Sequence, residues 1–343
     1  MSRLDDYRTA LLVASPGISG DELGALLDAA GPQFPQFIIA HGLGPLWHER
    51  TGREAFHSSR MQAEALFAMQ EKALADIDAV LNGADIDYVV IKGAANRLLL
   101  YDNPAIRACF DIDLLVHPED RVQSAVTLVE AGFAAIPEPI GISRMIVLAR
   151  ESTNVDLHWG LLREGRLRVD PTIEILGRHR RVGDIWMPNA EDTLFTLLVH
   201  PAFAKHLGGW DMGLHRVADL LAWIRTQEFD WVNVCAMLQA NGVCTAAWAT
   251  LRWAQLLSRS LAPPQLQEML DDLQPGSLRQ AWLEHWLDND LPGRASTTHW
   301  LRLLGFTTFL HDTAGDALRA ASGRWRARGR READLAAFRE LPD

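Results

Sequence analysis

The chain has 343 residues, of which 48% are hydrophobic, and its formal net charge is -11. Such an acidic chain lacks the surplus of Lys and Arg that general affinity for DNA or RNA backbones requires, so general nucleic-acid binding is excluded. No uncharged apolar run reaches the roughly 20 residues of a membrane-spanning helix, and three scattered cysteines are too few for a disulfide framework or a zinc site, so the sequence predicts a cytoplasmic protein without membrane contacts.

The N-terminal part of the chain is predicted to be helical. Between Met61 and Leu81, apolar residues recur at steps of three and four, which places them on one face of a helix. Asn82-Gly83 predicts a turn, and the helical spacing of apolar residues ends there. The helical period returns at Glu191, and tryptophans recur through the remaining chain, where they are interpreted as core residues. Helical regions are therefore expected on both sides of a middle segment.

The middle segment mixes strands with helices. Short runs of β-branched and apolar residues predict strands at residues 87–91, 111–116, 144–149, 154–159 and 182–187. Helices are predicted at residues 94–100 and 118–131, the second with a proline in its first turn and a glycine after its end. The predicted fold class is α+β, with a small mixed β-sheet core at residues 85–188 between helical regions at residues 1–84 and 189–343.

Two aspartates alternate within the second predicted strand. Alternation places Asp111 and Asp113 on one face, while Ile112, Leu114 and Val116 point to the other face and set the orientation once they are buried. Adjacent carboxylates repel each other, and a divalent cation between them relieves that repulsion. Oxygen ligands at this spacing suit Mg²⁺ or Mn²⁺. The alternative is a solvated edge strand, although aspartate is uncommon in strands.

The segment Val155-Asp156-Leu157-His158-Trp159 repeats this alternation. Asp156 and His158 share one face of the predicted strand, so Asp156 becomes a third carboxylate of the metal site if the strand lies beside residues 111–116. Three carboxylates can hold two metal ions and still orient a hydroxyl nucleophile. A structural hydrogen bond between Asp156 and His158 is the alternative.

A strand-to-helix turn at Lys92-Gly93-Ala94 has features of an anion site. Gly93 lets a ligand approach the backbone closely, and the following helix offers free N–H groups and a positive dipole end. Lys92 adds a charge suited to phosphate, and Asn96 lies in the first helical turn. The turn has neither the Walker nor the Rossmann glycine pattern, so a chance arrangement is the alternative. Phosphate, metal and a hydroxyl nucleophile together indicate phosphoryl or nucleotidyl transfer.

Several other polar residues have two interpretations each. Arg107, four residues before Asp111, either binds a phosphate oxygen or pairs with a carboxylate, and Tyr101 is expected to pack and form a hydrogen bond. In the C-terminal part, Leu214, Val217, Leu221 and Ile224 form an apolar stripe on one face of a predicted helix. The polar residues on the opposite face either pair with one another or close over a nucleotide. The residues whose roles stay open there are Lys205, His206, His215, Arg216 and Asp219.

The segment VIKGAANRLLLYDNPAIRACFDIDLLV resembles the uncharacterised nucleotidyltransferase family of the DNA polymerase beta superfamily. The shared features are the Lys-Gly-Ala turn, Tyr101, Arg107, the strand at 111–116 and the V-D-L-H-W run at 155–159, and the likeness extends from about residue 30 to about residue 260. The resemblance implies a small mixed sheet with helices. It also implies that Asp111 and Asp113 ligate both metal ions, and that Asp156 completes one metal site and helps to activate the acceptor.

The function implied is transfer of a nucleoside monophosphate from an NTP to an unknown small-molecule or peptide acceptor, with release of pyrophosphate and with Mg²⁺ or Mn²⁺ as cofactor. The expected nucleotide-binding residues are Lys92, Gly93, Ala94, Asn96, Arg107 and His158. The wider superfamily has Gly-Ser or Gly-Gly in the phosphate turn, whereas this chain has Gly93-Ala94 and lacks a serine contact. Two alternatives follow: a catalytically silent nucleotide-sensing or partner-binding module, and metal-dependent phosphate hydrolysis.

Overall fold

The chain forms two compact units. The structure is a computed structural model that describes residues 3–136, 144–205, 207, 213–259, 262–288 and 300–338. The first unit draws on residues 1–64, 100–108 and 197–312, and the second on residues 65–99, 109–196 and 313–343. No helix in the described part of the chain is both long and apolar enough to cross a membrane.

The first unit is helical. Its helices are Arg3–Leu11, Gly20–Ala29, Phe34–Ala40, Gly44–Thr51, Leu214–Thr226, Trp231–Asn241, Cys244–Ser258, Gln265–Asp272, Ser277–Leu287 and Trp300–Phe309, with short 3-10 helices at Leu12–Ala14, Glu54–Phe56 and Pro104–Ile106. Two further helices, His57–Gly83 and Ala190–Lys205, contribute residues to both units. Of the tryptophans interpreted as core, Trp248, Trp253 and Trp286 are buried, whereas Trp282 is exposed.

The second unit contains the β-sheet. Its seven described strands are β1 (Tyr88–Ile91), β2 (Asp111–Val116), β3 (Ala134–Ala135), β4 (Met145–Arg150), β5 (Thr153–His158), β6 (Arg180–Val182) and β7 (Ile185–Met187). Five strands form one mixed sheet in the order β1-β2-β5-β4-β3, and β6 pairs with β7 separately. β2 and β5 run parallel, while the other neighbours in the sheet run antiparallel. The α+β fold class is confirmed.

Most predicted elements of the core lie close to their observed positions. The strand predicted at residues 111–116 has those bounds, and the predicted pair at 144–149 and 154–159 is the antiparallel pair β4 and β5. The single strand predicted at 182–187 is wrong, because β6 and β7 form a hairpin there. Gly183 causes the break: its φ of 58° is the left-handed conformation that glycine adopts readily in a turn.

One face of the sheet forms the core of the second unit. Val90, Ile112, Leu114 and Leu157 are each fully buried there, and they share one apolar cluster with Ile77 of the long helix. The helices Lys92–Leu100, Arg121–Glu130 and Thr172–Gly177 are the shorter helices of this part of the chain. Apolar burial of these alternate strand positions holds the strands in register and directs the intervening side chains to the opposite face.

The C-terminal helix Ala314–Phe338 belongs to the same unit as the sheet. Near its start, the Asp316 carboxylate accepts two hydrogen bonds from Arg168, at 2.9 and 2.8 Å, and one from Arg319 at 2.7 Å. At its end, the Phe338 ring lies 5.5 Å from the ring of Trp159, the residue that follows β5. Both ends of the helix are therefore attached to the sheet-containing unit.

Candidate metal and nucleotide site

Strand β2 presents Asp111 and Asp113 on one face of the sheet. The intervening Ile112 and the following Leu114 are fully buried on the core face, so apolar burial orients both aspartates as the alternation predicts. Leu115 points to the same face as the aspartates and is also fully buried, so other parts of the protein cover this face next to the carboxylates. Asp113 is only 5% exposed, whereas Asp111 at the start of the strand is partly exposed.

Strand β5 lies parallel beside β2, as the metal-site hypothesis requires. The register places Asp156 opposite Asp113 and His158 opposite Leu115, and alternation turns both polar side chains toward the aspartate face. Asp113, Asp156 and His158 each offer one ligand atom, and these atoms all lie within 4.8 Å of one another. The parallel register therefore brings two carboxylates and one imidazole to a common point.

Lys92 joins this group from the end of β1. It begins the helix Lys92–Leu100 with a φ of 57°, a left-handed conformation that is uncommon for a residue with a side chain. Its Nζ donates a hydrogen bond of 2.5 Å to Oδ1 of Asp113 and lies 3.0 Å from Nε2 of His158. Nε2 of His158 lies 2.9 Å from the same Asp113 oxygen. The three atoms therefore form a closed triangle.

The charges in this triangle fix the protonation states. Burial opposes ionisation of Asp113, but the Lys92 ammonium and the hydrogen bonds from His158 and Lys92 outweigh it and hold the pKa of that carboxyl well below its usual range. Burial and the Lys92 ammonium lower the pKa of His158 in spite of the Asp113 carboxylate. The ionised form of Asp113 and the neutral form of His158 are therefore favoured at neutral pH, and Oδ1 of Asp113 accepts the hydrogen bond from the Lys92 ammonium.

This donor set fits a divalent metal ion. Carboxylate oxygens are the usual ligands of Mg²⁺ and Mn²⁺, and a neutral imidazole nitrogen is a ligand for transition metals. His158, which the sequence analysis assigned to nucleotide binding, is by its position a candidate metal ligand. Asp111 lies two residues before Asp113 on the same face, partly exposed, and its predicted metal contact stays a prediction.

The predicted phosphate turn lies at the N-terminus of the helix that follows β1. Gly93, Ala94 and Asn96 are in its first turns, and the helix begins two residues earlier than the sequence predicted, at Lys92. Arg97 anchors this helix: its Nη1 donates a 2.7 Å hydrogen bond to Gln70 inside the second unit. The free N–H groups of the helix N-terminus therefore belong to Lys92 and the residues directly after it, and the Lys92 ammonium is the group that contacts Asp113.

Arg107 pairs with a carboxylate of the first unit. Its Nη2 donates to Oδ2 of Asp219 at 2.6 Å and its Nε to the same oxygen at 3.2 Å, while the Tyr101 hydroxyl donates to Oδ1 at 2.8 Å. Asp219 is fully buried, so the helix face away from the apolar stripe is buried as well as the stripe itself. The helical period could not show this, because the partners come from residues 100–108, a distant part of the chain.

His215 is enclosed in the first unit by two glycines. A Cβ atom at either Gly42 or Gly213 would collide with the His215 imidazole, so both positions require glycine, and both have positive φ. Burial, followed by the nearby charges of Arg107 and Arg216, lowers the pKa of His215 well below its usual value. A neutral, enclosed imidazole is typical of a packed core position. Of the other open residues, Lys205 ends its helix and His206 lies outside the described residues.

Two ion-pair partners, one in each unit, were not predicted. The ion pair between Lys92 and Asp113 was missed because Lys92 was assigned to phosphate alone, although its place directly after a buried strand was a usable signal. For Arg107, pairing with a carboxylate was one of the two predicted roles, but no sequence signal identified Asp219 as the partner.

Comparison with protein families finds a match over more than half of the chain. A family described as an uncharacterised nucleotidyltransferase matches residues 39–259, which is more than half of the chain and includes β1, β2 and β5. The carboxylates, His158 and Lys92 all lie inside the matched range. No curated protein matches the chain.

Proposed function

Because the chain belongs to the uncharacterised nucleotidyltransferase family, we propose that it transfers a nucleoside monophosphate from an NTP to an acceptor hydroxyl or phosphate, with a divalent metal ion as cofactor. In this reaction a bond forms between the acceptor oxygen and the α-phosphorus, and the bond from that phosphorus to pyrophosphate breaks. The observation that carries the proposal is the convergence of Asp113, Asp156 and His158 within 4.8 Å.

Each residue of the site has a task in this reaction. Asp113, Asp156 and His158 would hold the metal ion, with Asp111 as a further carboxylate on the same face. A bound divalent cation supplies positive charge where negative charge develops on the phosphate oxygens. Asp156 is only partly buried, which leaves it accessible to an acceptor whose hydroxyl proton it can take. The helix N-terminus at Lys92 and Gly93 would hold the triphosphate, as helix N-termini bind phosphates elsewhere.

A catalytically silent nucleotide-binding module is the second candidate. The Lys92 ammonium already neutralises Asp113, so the buried carboxylate is stable without any metal ion. Ala94 also cannot offer the hydroxyl that a serine would provide to phosphate. Both observations are compatible with a protein that binds a nucleotide without turning it over.

One assay separates the candidates. The purified chain is incubated with each α-labelled NTP, Mg²⁺ or Mn²⁺, and a panel of alcohols, sugars and peptides. Labelled acceptor with pyrophosphate supports the transferase, free NMP supports hydrolysis, and bound but unchanged NTP supports the silent module. Asp156→Asn serves as the matched control, since product formed equally by this variant would refute the site assignment.

A further inference from the structure

The Lys92 ammonium contacts Asp113 and His158, two of the three residues that form the candidate metal site. Its Nζ is 2.5 Å from Oδ1 of Asp113 and 3.0 Å from Nε2 of His158. The side chains of all three residues are largely enclosed, with 17% of Lys92, 6% of Asp113 and 7% of His158 exposed. The contact is therefore largely buried inside the second unit and is not an ion pair on its surface.

We propose that Lys92 is a tethered cation that occupies the metal position in the metal-free protein and is displaced when the divalent ion binds. The inference rests on the proposed function, because it assumes that Asp113, Asp156 and His158 bind a metal ion. The new element is that the Lys92 side chain and the divalent ion compete for the same position, so that Lys92 has one position without the ion and another with it.

The competition follows from the contacts of the Lys92 ammonium. It lies 2.5 Å from Oδ1 of Asp113 and 3.0 Å from Nε2 of His158, so it stands at the carboxylate and the imidazole that a metal ion would bind. A metal ion ligated by Nε2 needs the side of the imidazole that the ammonium faces, so the two cations cannot both be there. An ammonium and a divalent ion at adjacent positions also repel each other strongly in a buried site. Binding of the ion therefore requires Lys92 to leave.

The displaced ammonium can pair with a phosphate group bound nearby. Lysine carries its charge on a flexible four-carbon stem, so Nζ can move while the backbone stays in place. Lys92 is the first residue of a nine-residue helix, and the N-terminus of a helix favours an anion. An NTP phosphate at that position gives the displaced ammonium a new partner. Metal ion and nucleotide are thus expected to strengthen each other's binding.

Direct measurement of Mn²⁺ binding tests the competition without any turnover. The free Mn²⁺ signal in electron paramagnetic resonance gives Kd for the wild type, Lys92→Met and Lys72→Met. Lys72 is an exposed lysine of the same unit, so its variant controls for the loss of one positive charge. We expect Lys92→Met to bind Mn²⁺ about tenfold more tightly than the wild type, a typical coupling between linked sites, and Lys72→Met to be unchanged.

The outcomes separate this inference from the proposed function. If the wild type binds Mn²⁺ and folded Lys92→Met binds it equally or more weakly, the competition is refuted while the metal site stands. If neither protein binds Mn²⁺, the metal site and the inference fail together. Circular dichroism shows whether the variant is folded.

A second measurement uses the unmodified chain and does not depend on the variant. The sequence has three lysines, so amine acetylation followed by mass spectrometry resolves each one. Saturating Mn²⁺ should raise the acetylation rate of Lys92 several-fold, because an ammonium released from Asp113 becomes accessible, while the rate at Lys72 stays constant. An unchanged rate at Lys92 with Mn²⁺ bound overturns the proposal.

Discussion

Asp113 and Asp156 are register partners on adjacent parallel strands, and together with His158 they bring their ligand atoms within 4.8 Å of one another. The pairing places one carboxylate from each strand at the same height on the sheet. Carboxylates gathered in this way are stabilised by a divalent ion, which binds the folded chain and not the unfolded one. The first prediction follows from this arrangement.

Asp156→Asn should remove the effect of metal ions on stability. The wild type is expected to melt at a higher temperature as Mn²⁺ or Mg²⁺ is added, whereas the variant should show little change, because a neutral amide is a poor ligand for these ions. Turnover should fall on the order of 10³-fold if the metal ion contributes several kcal/mol at the transition state. Differential scanning fluorimetry checks the first effect. A variant that keeps the full metal-induced shift would contradict the assignment.

Asp113→Asn should destabilise the metal-free protein. The Lys92 ammonium contacts Asp113 in the metal-free protein, and the substitution leaves this ammonium without its buried anionic partner. The free energy of unfolding should fall by about 1–3 kcal/mol. Urea denaturation without metal ions measures it.

A double variant isolates the Lys92–Asp113 pair. Lys92→Met with Asp113→Asn removes both charges, so its loss of stability should be smaller than the sum of the two single losses. Strict additivity would mean that the two side chains do not interact in solution.

Asp219→Ala should strongly destabilise the first unit. Arg107 would keep a buried guanidinium without its carboxylate, and breaking a buried ion pair from one side costs about 3–5 kcal/mol. Tyr101→Phe removes one hydrogen bond to the same carboxylate and should cost about 1 kcal/mol. Urea denaturation compares the two variants, and equal losses would show that the ion pair contributes little.

Acid should weaken the attachment of the C-terminal helix. The hydrogen bond from Arg168 is the largest influence that lowers the pKa of Asp316, and Thr313 and Arg319 assist it against burial. Because the folded pKa is lowered, the stabilisation is present above the ordinary carboxyl pKa near about 4 and is lost as pH falls through the folded value. The wild type should therefore exceed Asp316→Asn in melting temperature at neutral pH, and the difference should shrink toward pH 2. A constant difference would refute the carboxylate's role.

Gly323 and Gly329 provide a matched pair of substitutions in the C-terminal helix. A Cβ at Gly323 would collide with the backbone carbonyl of Glu164, whereas Gly329 has open space. Gly329→Ala should raise stability by about 0.5–1 kcal/mol through the higher helix propensity of alanine, and Gly323→Ala should lower it. Thermal unfolding of both variants measures the two changes in stability. Equal gains would show that the helix does not pack closely against Glu164.

Local sequence pattern was sufficient for the elements of the candidate site. Alternation in residues 111–116 and 154–159 predicted which side chains face the core, because burying Ile112, Leu114 and Leu157 allows only one orientation of each strand. The end of β1 before Lys92 and the helix after it were also predicted, although the helix begins two residues earlier than expected. The hairpin at β6 and β7 was missed, because one left-handed glycine divides a run that otherwise has the composition of a single strand.

Only the tertiary structure decided which charges meet. The parallel register of β2 and β5 sets Asp156 opposite Asp113, and pairing of strands separated by about 40 residues is not encoded in either segment alone. The same is true of Lys92 with Asp113 and of Arg107 with Asp219, whose partners lie 21 and 112 residues apart along the chain. Sequence periodicity determines the face on which a side chain lies, whereas its charged partner depends on which segments are packed together when the core is buried.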